Sequence, residues 1–151
     1  MDTSQGRKRV LVICTGNSAR SQMAEALLRH LGSDRVDVMS AGSAPAAQIH
    51  PLAVRAMAEI GLDISAQHPK PLSDYLGQPF DYIIAVCSKA AEACPFFPGP
   101  AERIHWFYDD PAAASGTEEE RMAAFRAIRD DLNIRIAEWL ASLPARSNGP
   151  A

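Results

Sequence analysis

Val10-Leu11-Val12-Ile13-Cys14-Thr15-Gly16-Asn17-Ser18-Ala19-Arg20-Ser21 is the stretch that decides the fold. Its first four residues form a continuous apolar run, as in a strand buried on both faces. A polar turn follows Cys14. From about Ser21 the pattern is helical: Ala24, Leu27, Leu28 and Leu31 share one face, and Gly32 stands where the helix must stop. Strand, tight loop and helix in that order aim a helix N-terminus back at a cysteine. The backbone N–H groups of Gly16 to Ser21 have no carbonyl partners inside such a turn, so they converge on the space above Cys14. A four-oxygen oxyanion suits that space, because the helix dipole favours negative charge there. Arg20 adds a planar fork of donors for two anion oxygens at once. The same field favours the thiolate of Cys14, which is the form that attacks. One loop thus makes a nucleophile and an anion cradle, with Thr15, Gly16, Asn17, Ser18, Ala19, Arg20 and Ser21 as its binding residues.

The pattern outward from this loop is strand–helix alternation. Val36–Ser40 reads as a second strand closed by Ala41-Gly42, and Pro51 opens a second helix that Gly61 ends. Prolines at 69, 71 and 79 leave room only for a short helix around Leu72–Leu76. Phe80–Val86 reads as a third strand that ends on Cys87, and Arg103–Tyr108 as a fourth that stops at Asp109-Asp110-Pro111. Thr117-Glu118-Glu119-Glu120 is a capping box. It opens a final helix to about Leu143, with Phe125, Ile128, Leu132, Ile136, Trp139 and Leu143 as its core stripe. The predicted fold class is α/β: one three-layer domain, a four-stranded parallel sheet with helices on both faces. Residues 1–8 read as a flexible N-terminal tail, 9–143 as the domain and 144–151 as a flexible C-terminal tail.

Composition narrows the function. The chain has 151 residues and a net charge of −3, so it lacks the basic field that nucleic acid requires. There is no apolar run of membrane-spanning length and no signal-peptide core, which predicts a cytoplasmic protein with no membrane partner. Three cysteines in a reducing compartment point to catalytic thiols rather than a structural staple. No histidine stands at zinc-finger spacing from a cysteine pair, so no metal is expected. Nothing in the pattern suggests an obligate dimer, and a monomer is the expectation.

Three strand ends carry reactive groups: Cys14, Cys87 and Asp109/Asp110. In a parallel sheet these ends share one edge, where such folds bind ligands. Asp110 precedes Pro111, which restricts its backbone to extended geometry and fixes its aim. Asp109 is read as structural. Cys94 follows Cys87 by seven residues, a spacing that suits a loop able to close.

The Cys14-x5-Arg20-Ser21 spacing after a first strand resembles the signature of the low-molecular-weight protein tyrosine phosphatase fold. Its continuation through Gln22-Met23-Ala24-Glu25 resembles the redox branch of that fold, the thioredoxin-coupled arsenate reductases. The run Ala85-Val86-Cys87-Ser88-x-Ala90-x3-Cys94-Pro95 is similar to the redox segment of that branch. The resemblance implies arsenate as substrate, Cys14 as nucleophile, Asp110 as general acid, and Cys87 and Cys94 as resolving thiols. It implies no bound cofactor, with thioredoxin as electron donor. It implies that Asn17 stiffens the loop; Ser21 is placed to donate to the Cys14 sulfur. Some relatives hold potassium through counterparts of Asn17, Glu25 and Ser40 plus a Thr and an Asp. Those last two positions are His68 and Lys70 here, so the Lys70 ammonium is expected in place of the cation. His30, His50 and His105 have no foreseeable partner, and Trp106 and Trp139 read as core. Two other functions compete: a phosphotyrosine phosphatase and a non-enzymatic oxyanion or redox sensor. Ala112-Ala113-Ala114 after Pro111 supplies no aromatic wall for a phosphotyrosine ring, and the leaving-group acid at Asp110 is unnecessary for sensing.

Overall fold

The computed structural model describes residues 7–88 and 95–144. Cys94 lies outside the described residues, as do 1–6 and 145–151, where most of both expected tails fall. Four strands alternate with helices: β1 (Lys8–Cys14), α1 (Arg20–Gly32), β2 (Val36–Gly42), α2 (Pro51–Ala58), β3 (Tyr82–Ala85), β4 (Glu102–His105) and α3 (Glu118–Ser142). The sheet order is β2-β1-β3-β4, and every pairing is parallel. β1 is central and β4 is an edge strand.

Period-two alternation splits the core. Val10, Val12 and Cys14 of β1 join the larger apolar cluster with Leu27 of α1, Met57 of α2 and Phe125 of α3. Leu11 and Ile13 face the other way, into a smaller cluster with Ile83, Phe80 and Phe97. That second face is covered by a 3₁₀ turn over Leu72–Tyr75 and by the segment around Phe97. Because Val10–Ile13 of β1 is apolar and buried on both faces, β1 takes a central place in the sheet.

Several boundaries differ from the sequence reading. β1 starts at Lys8 rather than Val10, and α2 ends at Ala58, three residues short of Gly61. β3 covers Tyr82–Ala85 within the expected 80–86. β4 stops at His105 instead of Tyr108, although the Trp106 amide still reaches the Ala85 carbonyl at 2.9 Å. An edge strand has one neighbour, so its register loosens sooner. In α3 the buried residues are Met122, Phe125, Arg129, Leu132, Ile136 and Leu140, while Ile128, Trp139 and Leu143 are only partly buried. Arg129 is tolerated inside because its guanidinium donates to the Ala56 carbonyl at 2.8 Å and to Glu59 at 2.7 Å. The Thr117 capping box is present with both of its hydrogen bonds.

Candidate active site

The register places the reactive groups at one edge. Cys14 pairs with Gly42, Ile13 with Ala85, and Ala85 with His105. Cys14, Cys87 and the approach to Asp110 therefore all leave the carboxyl end of the sheet. Cys14 and Cys87 belong to the same buried cluster. Cys14 is a free thiol, whereas Cys87 is disulfide-bonded.

The loop after Cys14 is turned by its neighbours. The amides of Ser43, Ala44, Ala46 and His50 donate to the carbonyls of Cys14, Thr15, Gly16 and Ser18 at 3.3, 2.9, 2.9 and 2.9 Å. A planar trans peptide sends the N–H opposite to its carbonyl. With those carbonyls drawn outward, the amides of Thr15, Gly16, Asn17 and Ala19 face inward. One of them, Asn17 N–H, donates to the Cys14 sulfur at 3.2 Å. Gly42 permits this close approach: a Cβ there would lie 2.4 Å from the Thr15 carbonyl oxygen. The resulting cavity of about 190 Å³ is lined by Cys14, Thr15, Gly16, Asn17, Ser18, Ala19, Arg20 and Asp110.

Beneath the loop lies a buried polar network. Asn17 takes the left-handed conformation at φ 49°, one of two described non-glycine residues to do so. Its side-chain amide donates to Ser21 Oγ at 2.7 Å and Ser40 Oγ at 3.0 Å. Its Oδ1 accepts from the Lys70 amide at 2.9 Å and from Gln22 Nε2 at 3.1 Å. Ser21 Oγ lies 2.9 Å from the Cys14 sulfur. Ser40 in turn donates to Glu25, a buried carboxylate that Arg29 meets at 2.8 Å and Lys70 Nζ at 3.7 Å. Lys70 Nζ also donates to the His68 carbonyl at 3.0 Å. Gln22 is a clamp that the sequence reading did not assign: its Nε2 also reaches the His68 carbonyl at 2.9 Å, and Gln67 donates to its Oε1 at 2.7 Å. No sequence signal marks it: Gln22 is fully buried and satisfied only because the fold brings residues 67 and 68 against it.

The segment bearing Asp110 is built differently. Asp110 is exposed, caps a 3₁₀ turn over Pro111–Ala113, and accepts the Ala112 amide at 3.0 Å. It lines the cavity above Cys14 and also a larger cleft of about 670 Å³ with Ser88, Asp109 and Ala113. Arg20 is 4% exposed, and its Nη1 donates to the Tyr108 carbonyl at 3.0 Å. His50 does have a partner: its Nδ1 accepts the Leu52 amide at 3.1 Å and caps α2, while its ring lies 4.8 Å from that of Phe125. Burial lowers the His50 pKa below the ordinary imidazole value, with Arg121 acting in the same sense and Asp110 against it. His105 Nε2 lies 3.3 Å from the Cys87 carbonyl. Trp106 is buried, whereas Trp139 only packs against the core.

A cysteine-bearing loop with these supports has close parallels. Residues 9–148 match the low molecular weight phosphotyrosine protein phosphatase family. An arsenate reductase of Halalkalibacterium halodurans is 46% identical over 130 residues, covering 86% of this chain and 93% of that protein. A solved arsenate reductase in its phosphate binding state superposes with a TM-score of 0.76 at 29% identity, covering 91% of this chain and 99% of its own. A thioredoxin-dependent arsenate reductase of Corynebacterium glutamicum gives a TM-score of 0.68 at 34% identity, over 90% of this chain and 61% of that one. This chain therefore belongs to the low molecular weight phosphotyrosine protein phosphatase family, within its arsenate reductase branch.

Proposed function

We propose that this protein reduces arsenate to arsenite through a three-cysteine relay, with thioredoxin as the external reductant. The observation that carries the reading is a free thiol on the floor of an amide- and arginine-lined cavity, with a second cysteine held oxidised at the same sheet edge. Arsenate sits on the inward amides of the loop and on Arg20. The Cys14 thiolate attacks arsenic, Asp110 delivers a proton to the departing oxygen, and water leaves. Cys87 thiolate then attacks the Cys14 sulfur. The S–As bond breaks with its electron pair going to arsenic, so As(V) becomes As(III) and a Cys14–Cys87 disulfide forms. Cys94 thiolate attacks Cys87 and releases Cys14, leaving a Cys87–Cys94 disulfide. Two electrons from a thioredoxin dithiol restore the starting state. A free Cys14 with an oxidised Cys87 is the arrangement this scheme reaches just before thioredoxin acts.

The support beneath the loop has its own role in the reading. The Lys70 ammonium provides beside Glu25 the positive charge that a bound cation provides in some relatives, and its backbone amide holds Asn17. We read the enzyme as monomeric and cytoplasmic; among the described residues no helix is long and apolar enough to cross a membrane. The relay is tested by following arsenite release with thioredoxin, its reductase and arsenate for the wild type, Cys87→Ser and Cys94→Ser. Both variants should stop after at most a single turnover. Full multiple turnover by either removes the relay. Hydrolysis of an aryl phosphate with no arsenite formed would favour a phosphatase, and anion binding without any turnover a sensor.

A further inference from the structure

We propose that Tyr108 is a positioning residue for the oxyanion step, holding the Arg20 guanidinium in place through its own carbonyl while its hydroxyl is anchored on Asp131. The inference rests on the assignment of Arg20 to anion binding. Tyr108 lies three residues beyond the end of β4, in the extended run that leads to Asp109 and Asp110. β4 is the outer strand, so no further strand holds this run in the sheet. Beyond the Trp106 amide, which still reaches the β3 carbonyl of Ala85 at 2.9 Å, the described backbone tie is a weak one: a 3.4 Å hydrogen bond from the Tyr108 amide to the Cys87 carbonyl, two residues past β3. Yet the Tyr108 carbonyl accepts from Arg20 Nη1 at 3.0 Å, so the place of that carbonyl helps decide where the guanidinium points.

What holds the carbonyl is the side chain. The buried Tyr108 ring packs into the main core, and its hydroxyl donates to Asp131 Oδ2 of α3 at 2.5 Å. The Arg135 guanidinium lies over the ring at 5.3 Å and reaches the same Asp131 oxygen at 3.9 Å. Burial, then the bond to Asp131, push the hydroxyl's pKa up, so it remains a donor across the ordinary pH range. One residue thus links Arg20, the segment bearing Cys87 just past β3, and the long helix, and a phenylalanine would keep the packing but lose the anchor.

The test measures inorganic phosphate affinity by calorimetry together with steady-state arsenate reduction. Tyr108→Phe and Asp131→Ala should each weaken phosphate binding about threefold to tenfold and raise KM for arsenate by the same factor, with kcat within about twofold. Asp131→Asn retains an acceptor for the hydroxyl and should stay within about twofold of the wild type. Unchanged affinity in Tyr108→Phe, loss in kcat with KM unaltered, or Asp131→Asn as weak as Asp131→Ala would each overturn the proposal. Failure of the wild type to bind phosphate would overturn the anion-site reading and this inference with it. Wild-type binding with an unaffected Tyr108→Phe would overturn this inference alone.

Discussion

Two segments leave the same edge of the sheet and are held in opposite ways. The loop after β1 is cross-linked on every side: its carbonyls are taken by residues 43–50, and its underside rests on Asn17, Gln22, Ser40 and Glu25, all buried. The run after β4 is exposed at Asp109 and Asp110, and a single cap bond to Ala112 fixes the Asp110 carboxylate. The contrast fits the roles proposed for the two segments. A nucleophile and an anion cradle act through preorganised dipoles, which lose their value if they must reorient during the reaction. An acid that serves a departing oxygen needs reach and access to water for its proton. A network of satisfied buried hydrogen bonds supplies rigidity, and exposure supplies access.

The sharpest way to break this contrast is to remove the acid alone. Asp110→Asn should lower kcat for arsenate reduction by about 10²–10⁴-fold while shifting unfolding stability by no more than about 0.5 kcal/mol. Retention of wild-type kcat would take the acid role from Asp110, and a large fall in stability would show that the exposed segment is structural after all. The opposite profile is expected beneath the loop. Asn17→Ala removes two donated and two accepted hydrogen bonds and leaves alanine in a left-handed conformation. Urea unfolding should show a loss of about 2–4 kcal/mol, and an unchanged midpoint would mean the network is not what stiffens the loop. The smallest effect concerns Lys70. Exchanging sodium for potassium at fixed ionic strength should leave wild-type activity unchanged, whereas Lys70→Met should lose about twofold to fivefold in kcat/KM and regain part of it with potassium. Stimulation of the wild type by potassium would refute the replacement.

The loop was the most legible part of the chain because its chemistry is local. Val10–Ile13, the polar turn and the helix that follows are adjacent in sequence, and orphan amides at a helix start are a property of any such turn. Asn17 could be assigned to a tight turn for the same reason. Gly42, Gln22 and His50 were not legible, since each works on a partner 27, 46 or 2 residues away through backbone atoms that carry no sequence signature. His50 was further concealed because an imidazole is an unusual helix cap, a place where Ser, Thr, Asp or Asn is preferred. The long helix was found from its stripe, but the stripe's rotation was set by α2: Arg129 turns inward to the Ala56 carbonyl and Glu59, and Met122 and Leu140 come with it.

The amino-acid order by itself determined a parallel α/β sheet with a cysteine at the head of a tight, amide-lined turn, because hydrophobic period, turn residues and helix-end dipoles act over neighbouring residues. Only the folded chain decided which way the loop's carbonyls point, which carbonyl receives Arg20, and how a Lys70 ammonium comes to lie beside Glu25. Those are contacts between segments distant in sequence, and they exist only after the sheet has brought its strand ends to a common edge.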